Sequence, residues 1–277
     1  MGVDVSSFTP VEQTALLSLY ARALDSRWPR PILGDFFADE LAGQIDYDFE
    51  GFGLIASVVC QAALRAKMLD DGVRRFVDTN PHAVVVDLGA GLDDGMLRIE
   101  PPPTVEWYSV DFPAVIAVRD RLFPSIAQAQ SIGASLMDGH WPERIPADRP
   151  TMLIADGLLA FLKEREIVEL FSKLTDYFQS GQLAFNDGGH QGWPTRLAVK
   201  LAPQKLFKDV SAMKGYAGFN DPHQPERWNP RLELLEETSL THEPEVAFFP
   251  TWVRLGTQLS GHIKTMARKA RILSYRF

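Results

Sequence analysis

Apolar side chains recur at intervals of three and four over the first 80 positions, then switch to short continuous runs separated by helical periods. Leu16, Leu19, Tyr20 and Leu24 share one helical face. Thr9-Pro10-Val11-Glu12 starts that helix, with Thr9 as N-cap, Pro10 in the first turn and Glu12 closing a capping box. Pro29 and Pro31 end it, and Asp35 caps a short helix running to Leu41. A longer helix over 52–77 places Ile55, Val59, Ala62, Ala66, Leu69, Val73 and Phe76 on one side. From there strands over 83–88, 104–110, 127–132, 151–155 and 182–186 are interleaved with helices. One opens near Pro113 and one spans 164–178, with Gly181 reading as its stop.

The pattern breaks between 187 and 230, where Gly, Pro and aromatic residues replace clean periodicity, and this stretch reads as a cap inserted over a site. Two further strands, 231–240 and 271–277, flank a helix near 255–266. Strands alternating with helices imply a doubly wound α/β fold with a mostly parallel, seven-stranded sheet. The last two strands lack a βαβ crossover and imply an antiparallel edge. The expected organisation is one domain over 1–277: N-terminal helices to 80, a binding core over 81–186, the cap over 187–230, and the edge strands with their helix over 231–277.

Composition narrows the function. The 277 residues are 45% hydrophobic and 23% charged, enough for a sizeable core, and the formal net charge of −8 argues against a general nucleic-acid binder. The basic cluster His262, Lys264, Arg268, Lys269 and Arg271 reads as a solvated face. No apolar run reaches the roughly 20 residues of a membrane span, and 1–10 lacks a signal-peptide core. The expectations are therefore a cytoplasmic setting, a small-molecule substrate, and neither nucleic acid nor membrane as partner. Oligomeric state is unreadable. Cys60, the single cysteine, sits in an apolar helical stretch and reads as a buried structural thiol.

The chemistry concentrates at the first strand of the alternating region. Val84-Val-Val-Asp87-Leu-Gly89-Ala90-Gly91 is an apolar strand opening into a glycine turn, and the next strand ends in Asp111, 20 residues beyond Gly91. Glycines let a backbone approach a nucleotide, and an acid at that distance takes ribose hydroxyls. Asp87, two residues before Gly89, suits a cationic or zwitterionic ligand better than a diphosphate, so S-adenosylmethionine (SAM) is favoured over NAD. An NAD-dependent oxidoreductase remains an alternative, although its third glycine falls one place late, at Gly95. The six histidines are dispersed, which argues against a metal hydrolase, and no metal is expected. Acids and glycines also stand at later strand ends: Leu136 to Asp138, and Asp156-Gly157.

The strings Arg22-Ala-Leu-Asp-Ser-Arg27, Arg65-Ala-Lys-Met-Leu-Asp70, Val86-Asp-Leu-Gly-Ala-Gly-Leu-Asp93, Val110-Asp-Phe-Pro113 and Ala155-Asp-Gly-Leu-Leu-Ala-Phe-Leu162 resemble the leucine carboxyl methyltransferase family, most of all its tetracenomycin-type polyketide O-methyltransferases. The resemblance implies a class I, Rossmann-like SAM-dependent methyltransferase. It assigns Arg65 to the SAM carboxylate, Gly89 to the methionine side and Asp111 to the ribose, with Asp87, Ala90, Gly91 and Phe112 also counted among the cofactor-binding residues. Asp156 and Gly157 fall on the methyl-donor side, and Leu136, Asp138 and Trp141 near the adenine. Tyr20, Arg22 and Arg27 are candidates from the N-terminal helices. The chain departs from the family at Asp94-Gly95, where members commonly carry Thr-Arg.

The implied reaction is transfer of methyl to oxygen. A carboxylate acceptor needs no base, whereas a phenol benefits from one. His190 is the candidate base, and Trp193, Arg196 and Tyr216, with Tyr20, are candidates for substrate binding. The alternative is a SAM-fold protein that does not transfer methyl.

Overall fold

A computed structural model describes residues 2–188 and 218–277. The N-terminal layer holds α1 (Pro10–Ser26) and α2 (Phe36–Gln44), joined by a two-residue parallel pair, β1 (Val3–Asp4) and β2 (Ile45–Asp46). The capping box at Thr9 and Glu12 forms as its residue types dictate, with the Thr9 hydroxyl accepting from the Glu12 N–H. Asp35 caps α2 by accepting from the Ala38 N–H at 2.8 Å. The long helix α3 (Ala56–Thr79) begins later than its apolar spacing predicts, because Phe49–Phe52 forms a separate 3-10 turn ended by Gly53 in the left-handed region.

The main sheet then builds strand by strand: β3 (Val84–Leu88), β4 (Glu106–Asp111), β5 (Ala129–Gly133), β6 (Thr151–Ala155) and β7 (Gly181–Asp187), with α4 (Gly95–Ile99), α5 (Pro113–Leu122) and α6 (Glu164–Tyr177) between them. Its seven strands lie in the order β5-β4-β3-β6-β7-β9-β8, where β8 is Glu233–Ser239 and β9 is Arg271–Arg276. The first five are parallel, and β9 runs antiparallel to both β7 and β8. The antiparallel edge is therefore present, with β9 next to last and β8 outermost.

Alternate strand residues face opposite layers, as a period of two requires. Val84, Val86 and Leu88 join Tyr108, Leu153, Phe185 and Tyr275 against α6, while Val85, Trp107, Met152 and Ile272 pack with α3. Gly181 opens β7 instead of stopping α6, which ends at Tyr177. A Cβ at position 181 would lie 1.9 Å from the Thr151 carbonyl oxygen, so the glycine is there for strand contact. The helix expected near 255–266 divides into Thr251–Gly261 and Lys264–Ala267. Of the cap over 187–230, only its two ends are described, and His190, Trp193, Arg196 and Tyr216 lie outside the described residues. No helix among the described residues is long and apolar enough to cross a membrane.

Candidate active site

The turn after β3 is shaped by two glycines in the left-handed region, Gly89 (φ 69°) and Gly91 (φ 51°). Neighbours crowd both: a Cβ at 89 would meet Leu158 Cδ1 at 3.2 Å, and one at 91 would meet Ala15 Cβ at 3.2 Å. The turn folds back on β4, where the Gly89 N–H donates to the Val110 carbonyl at 2.8 Å. Asp111, ending β4, accepts from the Gly91 N–H at 2.7 Å and the Phe112 N–H at 2.6 Å. A carboxylate has about four acceptor positions, so both oxygens keep room for ligand hydroxyls. Beneath the turn, buried Arg119 from α5 donates to the carbonyls of Gly91 (3.1 Å) and Asp93 (2.5 Å) and to Ser109 Oγ (3.1 Å).

Opposite stands Arg65 of α3, ion-paired with Asp156 after β6. The Gly157 N–H donates to Asn186 Oδ1 at 2.6 Å, which fixes the loop after β6 to the end of β7. Leu136 is held through its carbonyl by the Trp141 indole N–H at 3.1 Å. Arg65, Asp87, Gly89, Ala90, Gly91, Asp111, Phe112, Leu136, Asp156 and Gly157 all line one cavity of about 640 Å³. Asp138 is not on its wall, and its carbonyl accepts from Lys173 instead. Tyr20 is buried away from the cavity, stacked on Phe49 at 5.1 Å between centroids. Arg22 does reach the wall, and Arg27 pairs with Asp39 outside it.

Sequence reasoning passed over several residues. Arg119 and Asn186 carry no local motif, and their roles come from contacts 26 to 29 positions away. Asp93 could have been found, since it ends the Gly-Leu-Asp string. It lines the cavity and heads an ion-pair network behind the wall. There Arg98 contacts Asp93 (2.6 Å), Asp35 (3.0 Å), Asp70 (2.8 Å) and Asp94, and Arg22 contacts Asp35 (2.8 Å) and donates to the Leu92 carbonyl (2.8 Å). Carboxylate oxygens of Asp35, Asp93 and Asp94 come within 4.8 Å of one another, the spacing of a metal site. The two guanidiniums are their partners, and the cluster reads as an ion-pair network. Asp94, in the departure from the family, belongs to it, Gly95 lies beside it, and neither lines the cavity.

The electrostatics favour a ligand carrying positive charge. Burial pushes the Asp87 carboxyl up to about 8, and the charges of Asp93, Asp156 and Asp111 add to the effect. Burial also raises Asp111. A cation near these acids reverses that penalty, while Arg65 offers a partner for a carboxylate. SAM, with its sulfonium, ammonium, carboxylate and ribose hydroxyls, carries the groups that such a lining can take. The thiol of Cys60, buried and pushed up to about 12 by burial, is no nucleophile at neutral pH.

Comparison with known proteins agrees with this geometry. The sequence profile of the leucine carboxyl methyltransferase family matches residues 15–175. The chain is 34% identical over 272 residues to the tetracenomycin polyketide synthesis O-methyltransferase TcmP of Streptomyces glaucescens, covering 97% of each chain. It is 27% identical to the SAM-dependent methyltransferase dpfgK of Gibberella zeae, covering 86% of this chain and 85% of the other. The fold matches that of a DUF574 family protein from Streptomyces avermitilis with a TM-score of 0.60 at 14% identity, over 95% of this chain and 96% of the other. With its glycine turn, its strand-end acids and the class I order of its sheet, the chain belongs to the leucine carboxyl methyltransferase family and is a SAM-dependent methyltransferase.

Proposed function

We propose that this enzyme methylates an oxygen, a carboxylate or a phenolic hydroxyl, on a small acidic or polyketide-like molecule. The observation that carries the reading is the 34% identity to a polyketide O-methyltransferase across 97% of both chains. Transfer forms an O–CH₃ bond and breaks the S–CH₃ bond, leaving S-adenosylhomocysteine. The chain's part is to align and to exclude water. Arg65 would hold the carboxylate of the cofactor and Asp111 its ribose, while the Gly157 backbone, fixed by Asn186, would line the methyl-donor side. A carboxylate acceptor is already ionised near neutral pH and needs no base. For a phenol, His190 is the proposed base.

Behind the wall, Asp94 and Gly95 touch the network and not the cavity, which supports methyl transfer over a merely cofactor-binding fold. The test is twofold. SAM titration by calorimetry should give a saturable heat, and aromatic hydroxy acids should yield S-adenosylhomocysteine with a methyl ester or methyl ether as co-product. Methylated nitrogen or carbon as the only product overturns the oxygen assignment. Binding without turnover on any acidic aromatic acceptor favours the alternative.

A further inference from the structure

Six of the ten large hydrophobic side chains exposed among the described residues fall within one stretch of the C-terminal part: Phe248, Trp252, Leu255, Leu259, Ile263 and Met266. Trp252 (62% exposed), Leu255 (53%) and Leu259 (69%) sit at i, i+3 and i+7 of the helix Thr251–Gly261, and so form one stripe. The helix is amphipathic in the reverse sense. Its seated side is made by Val253, half-buried Thr257 and Ser260, and Gly261, where a Cβ would come within 3.1 Å of Thr241 Oγ1. Large apolar groups turned outward while small and polar ones face the protein mark a surface meant for something else. Ile263 and Met266 continue the stripe along the next short helix.

Charge separates the candidate occupants. From Val246 to Phe277 the chain carries six of its 28 Lys and Arg and none of its 36 Asp and Glu. Arg268, Arg271 and Arg276 are tied to Glu237, Asp187 and Glu233 and Lys269 lies on the cavity wall, so the basic groups beside the stripe are Arg254 and Lys264, with His262. A second copy meeting stripe to stripe brings these cations against their own counterparts. An anionic, apolar surface meets both features at once, and it repels the acid-rich remainder of the molecule, which sets the orientation. None of these six side chains lines the cavity, whose wall does include Lys269 and Ala270, three and four residues after Met266 in the chain.

We propose that this ridge seats the enzyme on an anionic lipid bilayer, with Trp252, Leu255 and Leu259 entering the headgroup boundary and Arg254 and Lys264 meeting lipid charge. Such contact needs no spanning helix, and it reverses the expectation from the sequence that no membrane is a partner.

Flotation with vesicles of equal parts phosphatidylglycerol and phosphatidylcholine, compared with phosphatidylcholine alone, tests it. Binding is expected to the anionic vesicles only and to weaken with added salt. The variant Trp252→Ser/Leu255→Ser/Leu259→Ser should weaken partitioning by about a hundredfold or more, and Lys264→Gln by about fivefold. Calorimetric SAM affinity should be unchanged in both, since neither touches the cofactor site. Three results overturn the proposal: no binding to anionic vesicles at low salt, equal binding to neutral vesicles, or variants that bind like the wild type. Dimerisation that the triple variant abolishes, without vesicle binding, assigns the ridge to a second copy instead.

Discussion

Asp111 accepts from the backbone of its own turn, and in the proposed function it also takes the ribose of the cofactor. Its carboxylate is anchored by two N–H groups, so it cannot swing away when the ligand leaves. Asp111→Ala removes charge-assisted bonds worth about 1.5–3 kcal/mol each, and SAM affinity measured by calorimetry should fall by about a hundredfold; unchanged affinity would refute the ribose role. Asp87 makes a different prediction. Its folded-state value of about 8 lies above that of an exposed aspartate, as does that of Asp94, also raised to about 8 by burial. A raised carboxyl contributes stability that is fully present below the ordinary carboxylate range and lost as pH rises through about 8. The thermal midpoint of ligand-free protein should therefore drop across that window, and Asp87→Asn/Asp94→Asn should flatten the drop. A midpoint just as steep in the double variant sinks the assignment.

At the scale of elements, the cofactor turn is held less by β3 than by what presses on it. Helix α1 brings Ala15 against Gly91, so Gly91→Ala meets two penalties, a left-handed backbone costing about 1–2 kcal/mol and a contact that must give way. SAM affinity should weaken by at least tenfold while the far-ultraviolet circular dichroism stays unchanged. Thr9→Ala, which removes the α1 cap at a cost of about 1 kcal/mol, should lower the thermal midpoint and affect the cofactor only slightly.

These elements also mark how far the sequence could be read. Strand runs, the capping box and the glycine turn are local patterns, and each forms where its residues place it. Asp35 was legible as a cap, but its second role, accepting from Arg22 and Arg98, depends on partners 13 and 63 positions away. Gly181 misled because a glycine after a helix and a glycine pressed against a neighbouring strand look alike in one dimension. Asp138 does not line the cavity although Leu136 and Met137 do, because proximity in sequence does not fix which way a turn residue faces.

For the molecule as a whole, the cavity draws its wall from α1, α3, the ends of β3, β4, β6 and β7, and the start of β9. A ligand that binds this assembled wall and not the unfolded chain stabilises everything that contributes to it. At a hundredfold excess over Kd this amounts to about 2.7 kcal/mol, and S-adenosylhomocysteine should raise the thermal midpoint by roughly 5 °C or more in a thermal-shift assay. The position of β9 has a consequence for assembly. It follows β8 in the chain yet lies between β8 and β7, with Arg271 closing on Asp187 across 84 residues. The outer strand therefore has no sheet to join until the later one has docked, and the antiparallel pair of β8 and β9, joined through the helices over 251–267, must arrive as a unit or wait. Closing so long a loop is slow, so the last kinetic phase of refolding should coincide with protection of the β7 and β9 amides, well after those of β3 and β4.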